Sequence, residues 1–207
     1  MSSWRTRRAA FVCFLVVAVV SVLVATGVTD ALDHRTLQAI VPLRTPAATT
    51  FMRGASWIGD WMGEVPLFLL IVDRLWFRGS RGTFWRYVGL AACAEVSWSA
   101  MKLIFHRPRP ALAGRLGQAG WYSFPSGHAT LAPVIWGIGL VLLAQLFDSR
   151  AVKITLWTLS IAMPVTIVAS RLYLAVHYPT DVLAGLALGI GWVLLWFRPG
   201  LAPGDLA

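Results

Sequence analysis

Residues 9–28, AAFVCFLVVAVVSVLVATGV, run for twenty positions without an Asp, Glu, Lys, Arg or His. At 1.5 Å per residue a helix of that length spans about 30 Å, the hydrocarbon thickness of a bilayer. Three further runs are as clear, at residues 129–147, 154–170 and 182–197. Two more, 54–72 and 87–105, are interrupted by Asp60 and Glu64 and by Glu95. Hydrophobic residues make up 57% of the chain and charged residues 13%, the latter about half the usual ~25%. That excludes a disordered chain and argues against a water-soluble globule or a nucleic-acid binder. Six spans use roughly 120 positions and leave room for loops in 207 residues. The expected fold is all-α, a six-span transmembrane bundle forming one integral-membrane domain over residues 1–207.

The formal charge is +9, from 18 Lys and Arg against 9 Asp and Glu. Nucleic-acid binding would need these cations on a solvent-exposed face. They sit instead at the ends of apolar runs, where they meet headgroups and set orientation. With the N-terminus inside, ten of them, Arg198 included, fall in inner segments and eight in outer ones. Both termini are therefore expected on the cytoplasmic side. A cleaved signal peptide is not expected, because the first apolar run exceeds the ~7–15 residues of a signal core. Cys13 and Cys93 lie inside apolar runs and read as small buried hydrophobes.

Between the first two spans, Thr45-Pro46 reads as a helix cap followed by Pro at the first helical position. Ala47, Phe51, Ala55 and Ile58 then recur at helical spacing. A short helix on the outer interface is expected there. Residues 111–124 hold Gly114, Gly117 and Gly120 before Trp121-Tyr122, a mobile loop with interfacial aromatics. Gly185 and Gly189 form a small-x3-small pair suited to close helix packing, and Pro164 is expected to kink the fifth span. Glu95 lies about 10.5 Å along a helix from Lys102, too far to pair with it. A polar contact between the second and third spans is expected for Glu95.

Ionisable groups at the membrane edge are functional candidates, and here they gather on one side. Lys102 ends the third span, with Arg109-Pro110 after it; Pro125-Ser126-Gly127-His128 opens the fourth; Ser170-Arg171 ends the fifth; His177 and Asp181 bracket the start of the sixth. Each suits a phosphate. Lys102 is a point charge, and Arg109 and Arg171 grip two oxygens each. Ser126 caps a helix whose Gly127 and His128 N–H groups can face an anion. Three grouped cations repel unless an anion sits among them. His177, four residues before Asp181, can give that carboxylate one ring N–H and keep the other nitrogen as a nucleophile. His128 can protonate a leaving oxygen. No metal-ligand spacing is present, and neither a metal nor another cofactor is expected.

The stretches KLIFHRPRP (102–110), PSGH (125–128) and SRLYLAVHYPTD (170–181) have the order and spacing K-x6-R-P, P-S-G-H and S-R-x5-H-x3-D. This resembles the type 2 phosphatidic acid phosphatase superfamily, which includes lipid phosphate phosphatases and vanadate-dependent haloperoxidases. The resemblance implies a metal-independent phosphatase with motif core 102–181. His177 would form a phosphohistidine, Asp181 would orient it, and His128 would be the general acid. Lys102, Arg109, Ser126, Gly127 and Arg171 would bind the phosphoryl oxygens. His106 and Arg107 lie outside the motif positions and either assist Arg109 or face headgroups.

The implied substrate is a membrane lipid phosphate or diphosphate, with polyprenyl diphosphate and phosphatidylglycerol phosphate leading and phosphatidic acid and lipid A phosphates following. The implied place is a bacterial plasma membrane, with the site on the periplasmic or extracellular face. A vanadium haloperoxidase is disfavoured by six apolar spans. A lipid transporter or headgroup-binding protein is disfavoured by His128, His177 and Asp181, since binding needs only the cations.

Overall fold

The computed structural model of the protein describes residues 3–111, 115–117 and 120–197. Gly114 of the loop and Arg198 of the inner cations lie outside the described residues. Regular structure among the described residues is all helical: α1 Ser3–Ala25, α2 Asp30–Ile40, α3 Pro46–Ile58, α4 Trp61–Arg78, α5 Arg81–Phe105, α6 Gly127–Ala144, α7 Arg150–Tyr173 and α8 Pro179–Trp196. Five of these, α1 and α5 to α8, are long and apolar enough to cross a bilayer. The sixth passage requires α3 and α4 together, bent by 47° at the break between them. This is a multi-pass membrane protein.

Capping side chains set the helix starts. Ser80 Oγ accepts from Thr83 N (3.1 Å), Ser126 Oγ from Ala129 N (3.4 Å) and Ser149 Oγ from Val152 N (3.5 Å). Each cap satisfies one of the N–H groups that a first helical turn leaves orphaned. The helices consequently begin before the apolar runs do. Thr45 caps α3 as expected, its hydroxyl accepting from Ala48 N at 3.2 Å.

The second span, expected as one helix over 54–72 carrying Asp60 and Glu64, is two helices. Gly59 ends α3, and Asp60, in extended conformation, starts α4 by accepting from Trp61 N at 2.8 Å. A Cβ on Gly59 would collide with Ile167, so the chain turns there against α7. Two further differences concern loops and bends. Residues 30–40 form α2, a helix that the mixed composition of the segment did not announce. α6 makes a π-helical turn over Pro133–Ile138, which no sequence feature announced, while α7 is one continuous helix with Pro164 inside it.

Packing in lipid relies on close contact, since lipid tails are as apolar as leucine. Gly185 and Gly189 provide it as expected. A Cβ on Gly185 would lie 2.5 Å from Ser126 O, and one on Gly189 would strike Thr130 O, so α8 and α6 touch backbone to backbone. α1 lies along the other side of α8, with Phe14 edge-on to Trp192 (5.3 Å) and Val17 against Leu188. Ile71, Leu75, Tyr87, Leu90 and Val134 fill the centre between α4, α5 and α6. Phe11, Val22, Ile104 and Ile161 remain exposed, as befits a lipid-facing belt.

Candidate active site

A cavity of about 710 Å³ opens where α5 ends and α6 begins, beside the α3–α4 break, the end of α7 and the start of α8. Lys102, Arg109, Gly127, His128, Arg171 and His177 all line it. Ser126 and Asp181, both fully buried, stand behind that wall. Ser126 Oγ is engaged in the α6 cap, and its N–H donates to Asp181 O at 3.0 Å, tying the starts of α6 and α8 together.

His177 is buried, and its two nitrogens face different partners. Nδ1 lies 3.4 Å from Asp181 Oδ2, while Nε2 lies 3.0 Å from Arg109 Nη1. Arginine only donates, so Nε2 is the unprotonated nitrogen and the Nδ1 proton points to the aspartate. Burial drives the imidazole down to about 3, overcoming the upward pull of Asp181. The ring is therefore neutral at physiological pH, as a nucleophile must be.

The other histidine approaches from α6. His128 Nε2 donates to the Ser56 carbonyl at 3.2 Å. Arg171, almost fully buried, donates to the Ser56 hydroxyl. Ser56, in the last turn of α3, thus touches both an acid–base candidate and a phosphate-binding candidate. The helix read as interfacial is part of the site wall. Its start is held by Tyr173 of α7, whose hydroxyl meets Thr45 N and Thr49 Oγ1, both at 3.1 Å.

The grouped cations Lys102 and Arg109 are held by backbone carbonyls rather than left to repel one another. Lys102 Nζ donates to Tyr122 O and to Ser123 O, the latter at 3.3 Å. Arg109 reaches Gly120 O (2.9 Å), Trp121 O (3.0 Å) and Val176 O (2.8 Å). A row of backbone carbonyls stands where the sequence suggested that only an anion would serve. Arg109 is lowered to about 10 by burial, and stays charged at neutral pH. Trp121 lines the cavity edge-on to Trp98 (5.9 Å) while staying half exposed, and Tyr122 stands edge-on to the exposed His106 (4.4 Å). Gly127 has a local reason to be glycine, because a Cβ would press to 3.3 Å from the Trp98 ring.

Asp181 is held more firmly than a His–Asp pair alone requires. Oδ2 accepts from Tyr178 N (2.8 Å) and from the Ser123 hydroxyl, and Oδ1 accepts from Arg107 Nη1 (2.7 Å). Of the two residues left open beside Arg109, His106 is exposed and caps α5 with a left-handed backbone (φ 47°), whereas Arg107 is buried. Burial opposes its charge, but Asp181 and Asp33 more than offset that, so its pKa lies above the ordinary arginine value. Ser56, Ser123 and Arg107 belong to no motif. The hint available for Arg107 was the doubled Arg-Pro in HRPRP.

Asp60, Glu64 and Glu95 line the same cavity. Glu95 accepts from Trp98 Nε1 (2.9 Å) and Ser99 Oγ (3.4 Å) on its own helix, which replaces the contact expected with the second span. Below them the cavity continues between α4 and α5 past Val65, Phe68, Val88 and Ala91. Among the described residues, no three His, Cys, Asp or Glu side chains are grouped as metal ligands.

A family model described as the PAP2 superfamily matches residues 83–200, more than half the chain. Phosphatidylglycerophosphatase B of Bacillus subtilis is 26% identical over 185 residues, covering 89% of each chain. Lipid A 1-phosphatase of Rhizobium etli is 38% identical over 79 residues, which are 38% of this chain and 29% of that one. Among solved structures, a transmembrane PAP2-type phosphatidylglycerolphosphate phosphatase from Bacillus subtilis superposes with a TM-score of 0.80 at 23% identity, over 90% of this chain and 93% of the other. LpxE from Aquifex aeolicus superposes with a TM-score of 0.58 at 24% identity, over 80% and 96%.

Proposed function

Because this chain belongs to the PAP2 superfamily, we propose that it is a lipid phosphate phosphatase that works through a phosphohistidine, as one domain whose reactive core is residues 102–181. One observation carries this. Two histidines and three cations share a cavity that runs on as an apolar cleft between α4 and α5, so a phosphate can meet the charges while its lipid tail stays in the membrane.

His177 Nε2 attacks phosphorus in line with the ester oxygen. The P–O bond to the lipid alcohol breaks, and the alcohol oxygen takes a proton from His128. Lys102, Arg109 and Arg171 stabilise the charge on the non-bridging oxygens, joined by the N–H groups of Gly127 and His128 at the start of α6. Ser126 supports that end by capping the helix. Water then attacks the phosphohistidine and yields its proton to His128, inorganic phosphate leaves, and His177 is restored.

Phosphatidylglycerol phosphate is the favoured substrate. The relative named for it matches along 89% of its length. The carboxyl groups of Asp60, Glu64 and Glu95 also offer acceptors to glycerol hydroxyls. A second phosphate attached directly to the first would be pushed against them, and like-charge juxtaposition costs several kcal/mol. Phosphate release by the purified protein, with chelator present, is expected to be at least ~10-fold faster from phosphatidylglycerol phosphate than from polyprenyl diphosphate. No release from any lipid phosphate, or release only with added metal, would overturn the proposal.

The inner-facing cation excess supports a plasma-membrane protein with its cavity on the outer face. In a chain carrying Cys13→Ala and Cys93→Ala, Arg115→Cys is expected to react with an impermeant maleimide on intact cells. Gly82→Cys, at the opposite end of the bundle, is expected to react only after permeabilisation. The reverse pattern would put the cavity on the cytoplasmic side.

A further inference from the structure

Arg107 and Asp33 form a closed, buried ring with the start of α8. Arg107 Nη1 donates to Asp181 Oδ1 (2.7 Å) and to Thr180 Oγ1 (2.8 Å). Its Nη2 donates to Asp33 Oδ2 (2.8 Å) and to the more exposed Asp30 Oδ1 (3.2 Å). Asp33, fully buried in the first turn of α2, accepts from Thr180 N (3.1 Å) and Thr180 Oγ1 (2.5 Å). Tyr178 closes the ring from above, its aromatic face 4.2 Å from the guanidinium. Desolvating three charges is costly, and apolar residues of similar volume serve packing as well or better. A ring of this kind, one residue from the aspartate that faces His177, calls for a reason other than stability.

We infer that Arg107 and Asp33 are positioning residues for phosphoryl transfer, clamping Asp181 by Oδ1 so that Oδ2, which also accepts from Tyr178 N and the Ser123 hydroxyl, stays turned toward the Nδ1 proton of His177. The inference rests on His177 being the nucleophile, as proposed above. Two physical contributions follow. The guanidinium fork makes bonds to both carboxylates at once, which an ammonium cannot do with fixed geometry. Its charge also balances that of Asp181. Without it, an uncompensated carboxylate beside His177 would favour the imidazolium, which has no lone pair to attack with. The other charged or titratable groups around the His177 imidazole are Arg109 at Nε2, Lys102 from α5, His128 from α6 and Arg171 from α7, and they stay in place when Arg107 is changed.

The test uses the full chain, phosphatidylglycerol phosphate hydrolysis, and NMR titration of the His177 ring. Arg107→Gln is expected to lower kcat by about 100-fold with KM within about 3-fold, the loss typical of a reactive group displaced by an ångström. It should also raise the His177 pKa. Arg107→Lys keeps the charge without the fork, and is expected to lose kcat with no rise in that pKa. Asp33→Asn is expected to cost about 10-fold in kcat, again without a rise. A merely structural role would give loss of folded protein with none of this charge-specific pattern. Wild-type kcat in Arg107→Gln, or a His177 pKa that does not rise, would overturn the inference. If Arg107→Gln does not fold, Asp33→Asn and Arg107→Lys carry the kcat test, and wild-type kcat in both overturns it. His177→Ala at the wild-type rate would instead overturn the nucleophile assignment, whatever Arg107 does.

Discussion

Replacing His177 by alanine is expected to lower phosphate release by on the order of 10⁴-fold or more, the scale seen when a covalent nucleophile is removed from a coupled set. The loss should fall on kcat, because Lys102, Arg109 and Arg171 would still hold the lipid phosphate. Samples of the native enzyme with radiolabelled substrate, quenched in detergent at alkaline pH, should carry base-stable, acid-labile phosphate on protein, and His177→Ala should carry none. His128→Ala should differ in kind. With the nucleophile intact and the leaving oxygen unprotonated, a substrate with a good leaving group, such as an aryl phosphate, is expected to recover much of the lost rate. A lipid-transporting protein would be indifferent to both substitutions, and a wild-type rate in His177→Ala would end the covalent scheme.

The second large effect is on folding. Gly189→Val is expected to cost at least ~4 kcal/mol, at the exceptional end for single substitutions. Even the first added carbon would meet the Thr130 carbonyl and the Pro133 ring, and a backbone carbonyl within a helix cannot step aside. α8 and α6 would have to separate, and these helices begin at His177–Asp181 and Ser126–His128. The melting temperature should fall by roughly 10 °C or more for a chain of this size. Activity should fall with it, since the two histidines would move apart. Gly54→Ala is the matched control. It lies on α3 with nothing within 4 Å of an added Cβ, and should stabilise the helix by about 0.5–1 kcal/mol. Equal melting of Gly189→Val and the wild type would mean that α6 and α8 are not in backbone contact.

The sequence was most legible where one residue type has one physical use. Thr45 before Pro46, Ser126 before Gly127 and the Gly185/Gly189 pair each act in the structure as their local chemistry suggests. The gathering of Lys102, Arg109, Arg171, His128 and His177 followed from span order alone, because alternate helix ends must share a side. The Gly59-Asp60 break was legible in principle, as a helix-ending glycine followed by a capping aspartate. It was obscured by the apolar residues on either side. Ser56 and Ser123 were not legible. A serine acquires meaning only from what the fold brings to it, and neither sits at a diagnostic spacing. Asp33 reads as a solvent-facing acid in an amphipathic stretch, and nothing local reveals that it is buried against residues almost 150 positions away. Arg107 lost its distinction to Arg109 two places on, since sequence cannot say which of two neighbouring arginines turns inward.

The ring around Arg107 also bears on how small a working version of this enzyme can be. Every group assigned to bond making and breaking lies inside residues 83–200, so trimming the chain to that segment would keep all of them. Such a fragment would nonetheless lack Asp33, Ser56 and the whole of α1. It would begin life with the arginine that grips its aspartate half-tethered, its acid–base imidazole deprived of a backbone partner, and one flank of its last helix stripped bare. Shuffling reactive cores among relatives should therefore succeed only when the amino-terminal helices travel with them.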